Sequence, residues 1–233
     1  MSRRARSKRE RISDTVVGPA PWDALSAALA GETTGGSAVA APPSPATRDG
    51  RASAATGGVV LDGEVVLADY DAGWPDRFDR EAARIREVLG PRALQVEHVG
   101  STAVPGLAAR PVIDVLLVVP DSANEPAYAS DLEREGYVLR EREPEAAEHR
   151  LFSGPDGATS VHVYSTGAAP IEQMLQLRDW LRERPEERDR FDRRKRDLAG
   201  RPWRQAGLYA DAKRGVIESI VARAEASHGT PAA

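Results

Sequence analysis

Residues 111–119 read Pro-Val-Ile-Asp-Val-Leu-Leu-Val-Val, an apolar run of strand length broken only by Asp114. A continuous run of this kind predicts a strand buried on both faces rather than one with a wet side. Residues 93–99 form a second, mixed apolar run that ends at Gly100-Ser101, so two neighbouring buried strands are expected. An ionised carboxylate inside such a strand is costly unless a metal, a base or a cleft compensates it. Asp114 therefore constrains both the architecture and the chemistry.

The remaining periodicities place helices around these strands. Trp74, Phe78, Ala82, Ile85 and Leu89 recur at helical spacing behind Pro75 until Gly90-Pro91 stops them. Residues 125–135 predict a weaker helix closed by Gly136, with a strand over 137–140. Residues 149–153 and 159–164 predict a hairpin around Gly154-Pro155-Asp156-Gly157. From Pro170 onward the pattern is helical: Ile171, Met174, Leu175 and Leu181 share a face, Pro185 opens the next helix, and Tyr209, Ala212, Val216, Ile217 and Ile220 line the last. Strands followed by a helical cap give an α+β domain, expected over residues 59–228, with 229–233 frayed.

Residues 1–58 hold no apolar periodicity and are rich in Gly, Ala, Pro, Ser and Thr, so they are expected to be a disordered tail. Residues 59–67, with Asp62-Gly63 at a turn, read as a short strand pair or an extended arm. The expected outcome is that a chain starting at Val59 keeps the melting temperature of the whole. Strong amide protection anywhere in 24–58 would show a packed element there instead.

The net charge of −4 argues against a broad basic face for duplex nucleic acid. The basic arm at residues 2–11, with Arg3, Arg4, Arg6, Lys8, Arg9 and Arg11, is the one segment suited to RNA, DNA or anionic lipid; solvated tail charge is the plainer account of it. With no cysteine there is no disulfide framework or thiolate metal site. No signal-peptide apolar region and no membrane-length apolar run is present, so a cytoplasmic protein is expected.

The chemistry concentrates in Glu97-His98-Val99-Gly100-Ser101-Thr102 and in Arg110-Pro111-Val112-Ile113-Asp114. Gly100 permits close backbone approach, and Ser101 and Thr102 offer hydroxyls and amides at the start of a short helix, which together suggest an anion seat. A lone Gly-Ser turn binds nothing in most proteins. These words, with Val104-Pro105-Gly106-Leu107-Ala108 between them, resemble the signature of GrpB-like proteins, a branch of the nucleotidyltransferase superfamily. The resemblance extends to Tyr70, Trp74-Pro75 and Phe78, to Val161-His162-Val163, to Arg178-Asp179-Trp180-Leu181-Arg182 with Pro185, and to Tyr209 with Lys213, covering about residues 65–226.

The resemblance implies a nucleotidyltransferase-like mixed sheet with flanking helices and a C-terminal cap. It implies a Gly-Ser turn (Gly100, Ser101, Thr102) that holds the phosphates of a nucleoside triphosphate or related ligand, and Asp114 as the first carboxylate of a metal pair, with Mg²⁺ the expected ion. The transfer would be a substitution at the α-phosphorus toward some acceptor. The chain departs from this pattern at Leu116, where the second carboxylate is expected, at His162, where the third acidic residue is expected, and at Ser160, two positions earlier. Leu116 favours the alternative of a regulatory or sensor module that kept the phosphate seat and lost the metal cluster.

Other residues carry two meanings each. His98 and His162 are a candidate metal or base pair, or two satisfied strand-end histidines. Glu97 is a cleft carboxylate or a solvated strand end. Arg110, Arg178 and Lys213 are candidates for gripping phosphate, or surface charge. Trp74, Trp180, Trp203 and Tyr209 would stack on a base or, as aromatic residues at helical spacing usually do, pack in a core or cap.

Overall fold

The computed structural model describes residues 66–201 and the helix Ala206–His228. The tail, the turn at 62–63, Trp203 and residues 229–233 lie outside the described residues, as do the side chains of Tyr209 and Lys213. Five strands, β1 (Gln95–Val99), β2 (Ile113–Val119), β3 (Val138–Glu143), β4 (His149–Ser153) and β5 (Thr159–Ser165), form one sheet in the order β1-β2-β5-β4-β3. Among the described strands β2 and β5 pair in parallel and the other pairings are antiparallel.

Helix α1 (Trp74–Leu89) and the short α2 (Ala129–Arg134) cover one face of the sheet. Trp74, Ala82, Ile85 and Leu89 meet Val96, Ile113, Val115, Leu117, Phe152 and Val161 there. The other face carries Val99, Leu116, Val118 and Tyr164 beneath a cap of α3 (Ala169–Glu183), α4 (Pro185–Ala199) and α5 (Ala206–His228). All seven residues of β2 are consequently buried, as its continuous apolar run requires. Trp74 and Trp180 are both packing residues, the second with the Arg184 guanidinium 3.4 Å from its ring centroid.

Two elements differ from expectation. The helix expected over 125–135 is split into a 3₁₀ turn, Glu125–Ala127, and α2. Tyr128 breaks it: its backbone leaves the helical region (φ −149°) to bury the ring, and its hydroxyl donates to Ser122 O over 2.7 Å. The strand expected over 137–140 runs on to Glu143, because as the sheet edge it needs no apolar alternation beyond Leu139.

Candidate functional site

The β1–β2 register sets Val99 opposite Asp114, so the turn leaving β1 lies directly over that carboxylate. Gly100 makes the turn with φ 71° and ψ −169°, and a Cβ built on it would fall 2.3 Å from Asp114 Oδ2. The expected short helix is a 3₁₀ turn of three residues, Ser101–Ala103. It is too short for an anion seat built on a helix dipole, which needs several aligned peptides.

What the turn faces instead is Lys195, a residue that periodicity did not single out. Its ammonium, 3% exposed, donates to Ser101 Oγ over 3.0 Å and to the Ala108 carbonyl. Asp192, one turn earlier on α4, accepts from Ala108 N over 3.0 Å, and Arg182 of α3 donates to Ala103 O over 2.8 Å. The cap thus clamps residues 101–108. Burial pulls the Lys195 ammonium down to about 7, with the charges of Arg196 and Arg110 acting in the same sense and those of Asp192 and Asp114 opposing it.

This has a measurable consequence for stability. The unfolded chain holds the Lys195 proton up to the ordinary lysine value of 10.5, whereas the folded protein releases it near 7. Between those values the unfolded state binds more protons, so stability rises with pH, by up to about 1.4 kcal/mol per unit. Below pH 7 both states are protonated and the slope vanishes. Lys195→Met is expected to remove the rise. Urea unfolding of both proteins at pH 6, 7, 8 and 9 checks it, and parallel curves would mean that Lys195 titrates as an exposed amine.

Asp114 and His162 share the cap-facing side of the sheet, since β5 sets Ser160 opposite Asp114 and His162 opposite Leu116. His162 Nε2 stands 3.8 Å from Asp114 Oδ1; both atoms are buried, and neither has a hydrogen-bond partner among the described residues. The other ring nitrogen, Nδ1, lies 3.2 Å from His149 Nε2, and His149 Nδ1 lies 2.7 Å from Glu143 Oε2. His149 also stacks on Tyr164, its pKa drawn down to about 4 by burial against the opposing pull of Glu143.

His98 does not join His162. It registers with Val115 and so points to the α1 face, where its ring stacks on Phe78 with centroids 4.8 Å apart. The expected His98–His162 pair is thereby corrected: the two rings lie on opposite faces of the sheet, one strand position out of phase. Thr102 Oγ1 donates to Val112 O over 3.2 Å, so the 3.0 Å contact with His98 Nε2 requires the imidazole to be the donor. The Thr102 hydroxyl, buried and twice engaged, ties the turn to β1 and β2 rather than facing a ligand. Burial lowers the His98 pKa to about 4.

Arg178 is committed as well. Its Nη1 donates to Glu97 Oε2 over 2.9 Å and to His98 O over 3.1 Å, and its Nε to Asp179 Oδ1 over 2.8 Å. It fastens α3 to β1, and the same contact accounts for Glu97. Arg110 is half-buried at the start of the segment leading into β2.

Between turn and cap lies a cavity of about 20 Å³, lined by Gly100, Ser101, Met174, Leu177, Phe191 and Ile217 among others. That is room for about one water, against roughly 300 to 1,000 Å³ for ordinary ligand sites. The cap is shut on the sheet by apolar packing. Among the described residues no group of three or more His, Asp or Glu side chains could hold a metal; Asp114 and His162 stand as a pair.

Residues 64–223 match the GrpB protein family. A UPF0157 protein of Halalkalibacterium halodurans is 56% identical over 163 residues, covering 70% of this chain and 84% of that one. A UPF0157 protein of Streptomyces coelicolor is 43% identical over 164 residues, covering 70% and 86%. The crystal structure of the conserved protein GrpB from Enterococcus faecalis aligns with a TM-score of 0.61 at 28% identity, covering 71% of this chain and all of that one.

Proposed function

This chain belongs to the GrpB family, and on that premise we propose that it binds a nucleoside triphosphate or related phosphorylated small molecule at the Gly100-Ser101 turn, with nucleotidyl transfer to an acceptor as the activity served. The observation that supports this most is the buried Asp114 carboxylate under a glycine-only turn, with a buried ammonium 3.0 Å from Ser101 Oγ. Gly100 lets the turn lie directly on the Asp114 carboxylate, which would bring phosphates seated at Ser101 close to it. Lys195 and Ser101 would donate to those oxygens, exchanging their mutual hydrogen bond for charge-assisted ones. Arg110 and Lys213 are the further basic residues suited to this role; Arg178 would keep Glu97 and α3 in place.

Asp114 would hold a divalent cation, Mg²⁺ being the ion that the resemblance brings, and its orphaned Oδ1 fits that use. A cation bound there would neutralise phosphate charge during substitution at the α-phosphorus. The protein's share of the work is positioning and electrostatic preorganisation. Admission of a nucleotide requires α3–α5 to move away from the sheet, since the present cavity is about 20 Å³.

The second reading is a regulatory or sensor module with binding and no transfer. Leu116 favours it: the side chain at the second carboxylate position is fully buried and belongs to the cap core. Under either reading the partner is a small molecule in the cytoplasm. Among the described residues no helix is long and apolar enough to cross a membrane, and the basic arm at residues 3–11 is the segment through which nucleic acid would be reached.

Thermal shifts with each of the four ribonucleoside triphosphates, with and without a divalent cation, test the proposal. A ligand at 100 times its Kd stabilises the folded state by about 2.7 kcal/mol. At least one triphosphate is expected to raise the melting temperature at millimolar concentration, and no shift from any of them would overturn the reading. Pyrophosphate release separates the enzyme from the sensor.

A further inference from the structure

Four side chains lie in one line across the sheet, each on a neighbouring strand: Glu143 on β3, His149 on β4, His162 on β5 and Asp114 on β2. With the two carboxylates ionised and the two imidazoles neutral, the geometry assigns the protons along it as follows. An ionised carboxylate only accepts, so His149 Nδ1 donates to Glu143 Oε2. Neutral His149 then offers the lone pair of Nε2, which receives the Nδ1 proton of His162. His162 is left with a lone pair on Nε2, and that lone pair faces Asp114 Oδ1 across 3.8 Å. Two acceptors thus confront each other, both buried and both unpartnered among the described residues.

Such an arrangement is unfavourable by itself, because each buried acceptor has given up its hydrogen bonds to water without gaining a donor. A cation between the two removes that cost. Ligand atoms each about 2.0 to 2.2 Å from one ion stand roughly 3 to 4 Å apart, a range that contains the observed separation. The donor set is one carboxylate oxygen and one imidazole nitrogen, and Leu116 supplies no second oxygen. Imidazole suits Zn, Cu, Fe and Ni, whereas Mg²⁺ takes oxygen ligands. The Glu143–His149 arm has the form of an outer shell that fixes a ligand histidine's tautomer and raises its basicity.

We infer that Asp114 and His162 together hold one first-row transition-metal dication, Mn²⁺, Co²⁺ or Zn²⁺, in preference to Mg²⁺, with His149 and Glu143 as positioning residues for the His162 ring. The inference rests on the phosphorylated-ligand site proposed above and specifies its ion. The full chain, stripped with a chelator, is titrated calorimetrically with Mn²⁺ and with Mg²⁺ in the absence of nucleotide, and the Mn²⁺ sample is examined by pulsed electron paramagnetic resonance for ¹⁴N coupling. The expected result is one Mn²⁺ bound at least tenfold more tightly than Mg²⁺, with imidazole nitrogen coupling. His162→Asp should abolish the coupling and bring the two affinities together. Glu143→Gln changes a partly exposed edge residue, leaves both ligands in place and should weaken Mn²⁺ about 10- to 100-fold.

Equal affinity for the two ions, absence of a one-to-one site, or ¹⁴N coupling that survives His162→Asp would overturn the inference. Should His162→Asp not fold, Glu143→Gln decides alone, and unchanged Mn²⁺ affinity in it overturns the inference. Triphosphate stabilisation without a Mn²⁺ site would remove the metal and leave the ligand reading standing. A Mn²⁺ site with no response to any triphosphate would do the opposite.

Discussion

Gly100→Val is expected to abolish triphosphate binding and to destabilise the protein by on the order of 3 kcal/mol or more. Two independent costs add. The backbone at φ 71° and ψ −169° occupies a region open essentially to glycine alone. A Cβ would also lie 2.3 Å from Asp114 Oδ2 and 3.0 Å from both Asp114 Cβ and Cγ, so turn or strand must shift. From the sequence, obstruction of a ligand with modest loss of stability is the natural expectation; the carboxylate packed under the turn makes the structural cost the larger one. Gly100→Ala should share most of the loss, since the first carbon is what collides. Urea unfolding measures it, and a Gly100→Ala protein with parental stability and parental triphosphate response would show that phosphates are seated elsewhere.

Asp114→Asn should behave in the opposite manner, losing binding while keeping the fold. Its Oδ1 accepts no hydrogen bond among the described residues, so the amide leaves no donor stranded, and removing a buried negative charge relieves desolvation. Stability is expected to stay within about 1 kcal/mol of the parent or to rise. The amide oxygen is a neutral, weaker ligand for a divalent cation. The cation-dependent part of triphosphate affinity should therefore fall at least tenfold, about 1.4 kcal/mol, and any transfer activity with it. A clearly destabilised variant, in a parent whose triphosphate binding ignores divalent cations across the millimolar range, would remove the metal role of Asp114.

The sheet and its first cover were legible because their signals are local. The apolar run at 113–119, broken only by Asp114, is β2, the Gly154–Gly157 turn joins β4 and β5, and the stripe from Trp74 to Leu89 is α1. The site was legible only in part. Asp114 stood out as a charge in an apolar run, but the side of the sheet that His98 faces follows from pairing register, which strand sequences do not carry by themselves. Lys195 was hidden in a helix where eleven of fifteen residues are charged. A signal was present there: Phe191, Lys195 and Leu198 fall on one helical stripe, and its two apolar members mark that stripe as the inward one. The Glu143–His149–His162 line escaped because its members come from three strands whose order is set by the fold.

The parallel pairing of β2 with β5 also bears on how the chain is made. During synthesis β2 emerges with β1 as its antiparallel partner, but its other edge stays open until residues 159–165 have been added, about forty residues later. Through that interval the strand Ile113–Val119, apolar but for Asp114, presents unpaired backbone groups, the profile of a segment that recruits other chains into sheet. Nascent chains stalled between residues 120 and 158 are therefore expected to aggregate through β2, whereas chains released after β5 has docked are not. Asp114 then has a second use that precedes any ligand: it is the one charge that interrupts this strand while its edge is bare.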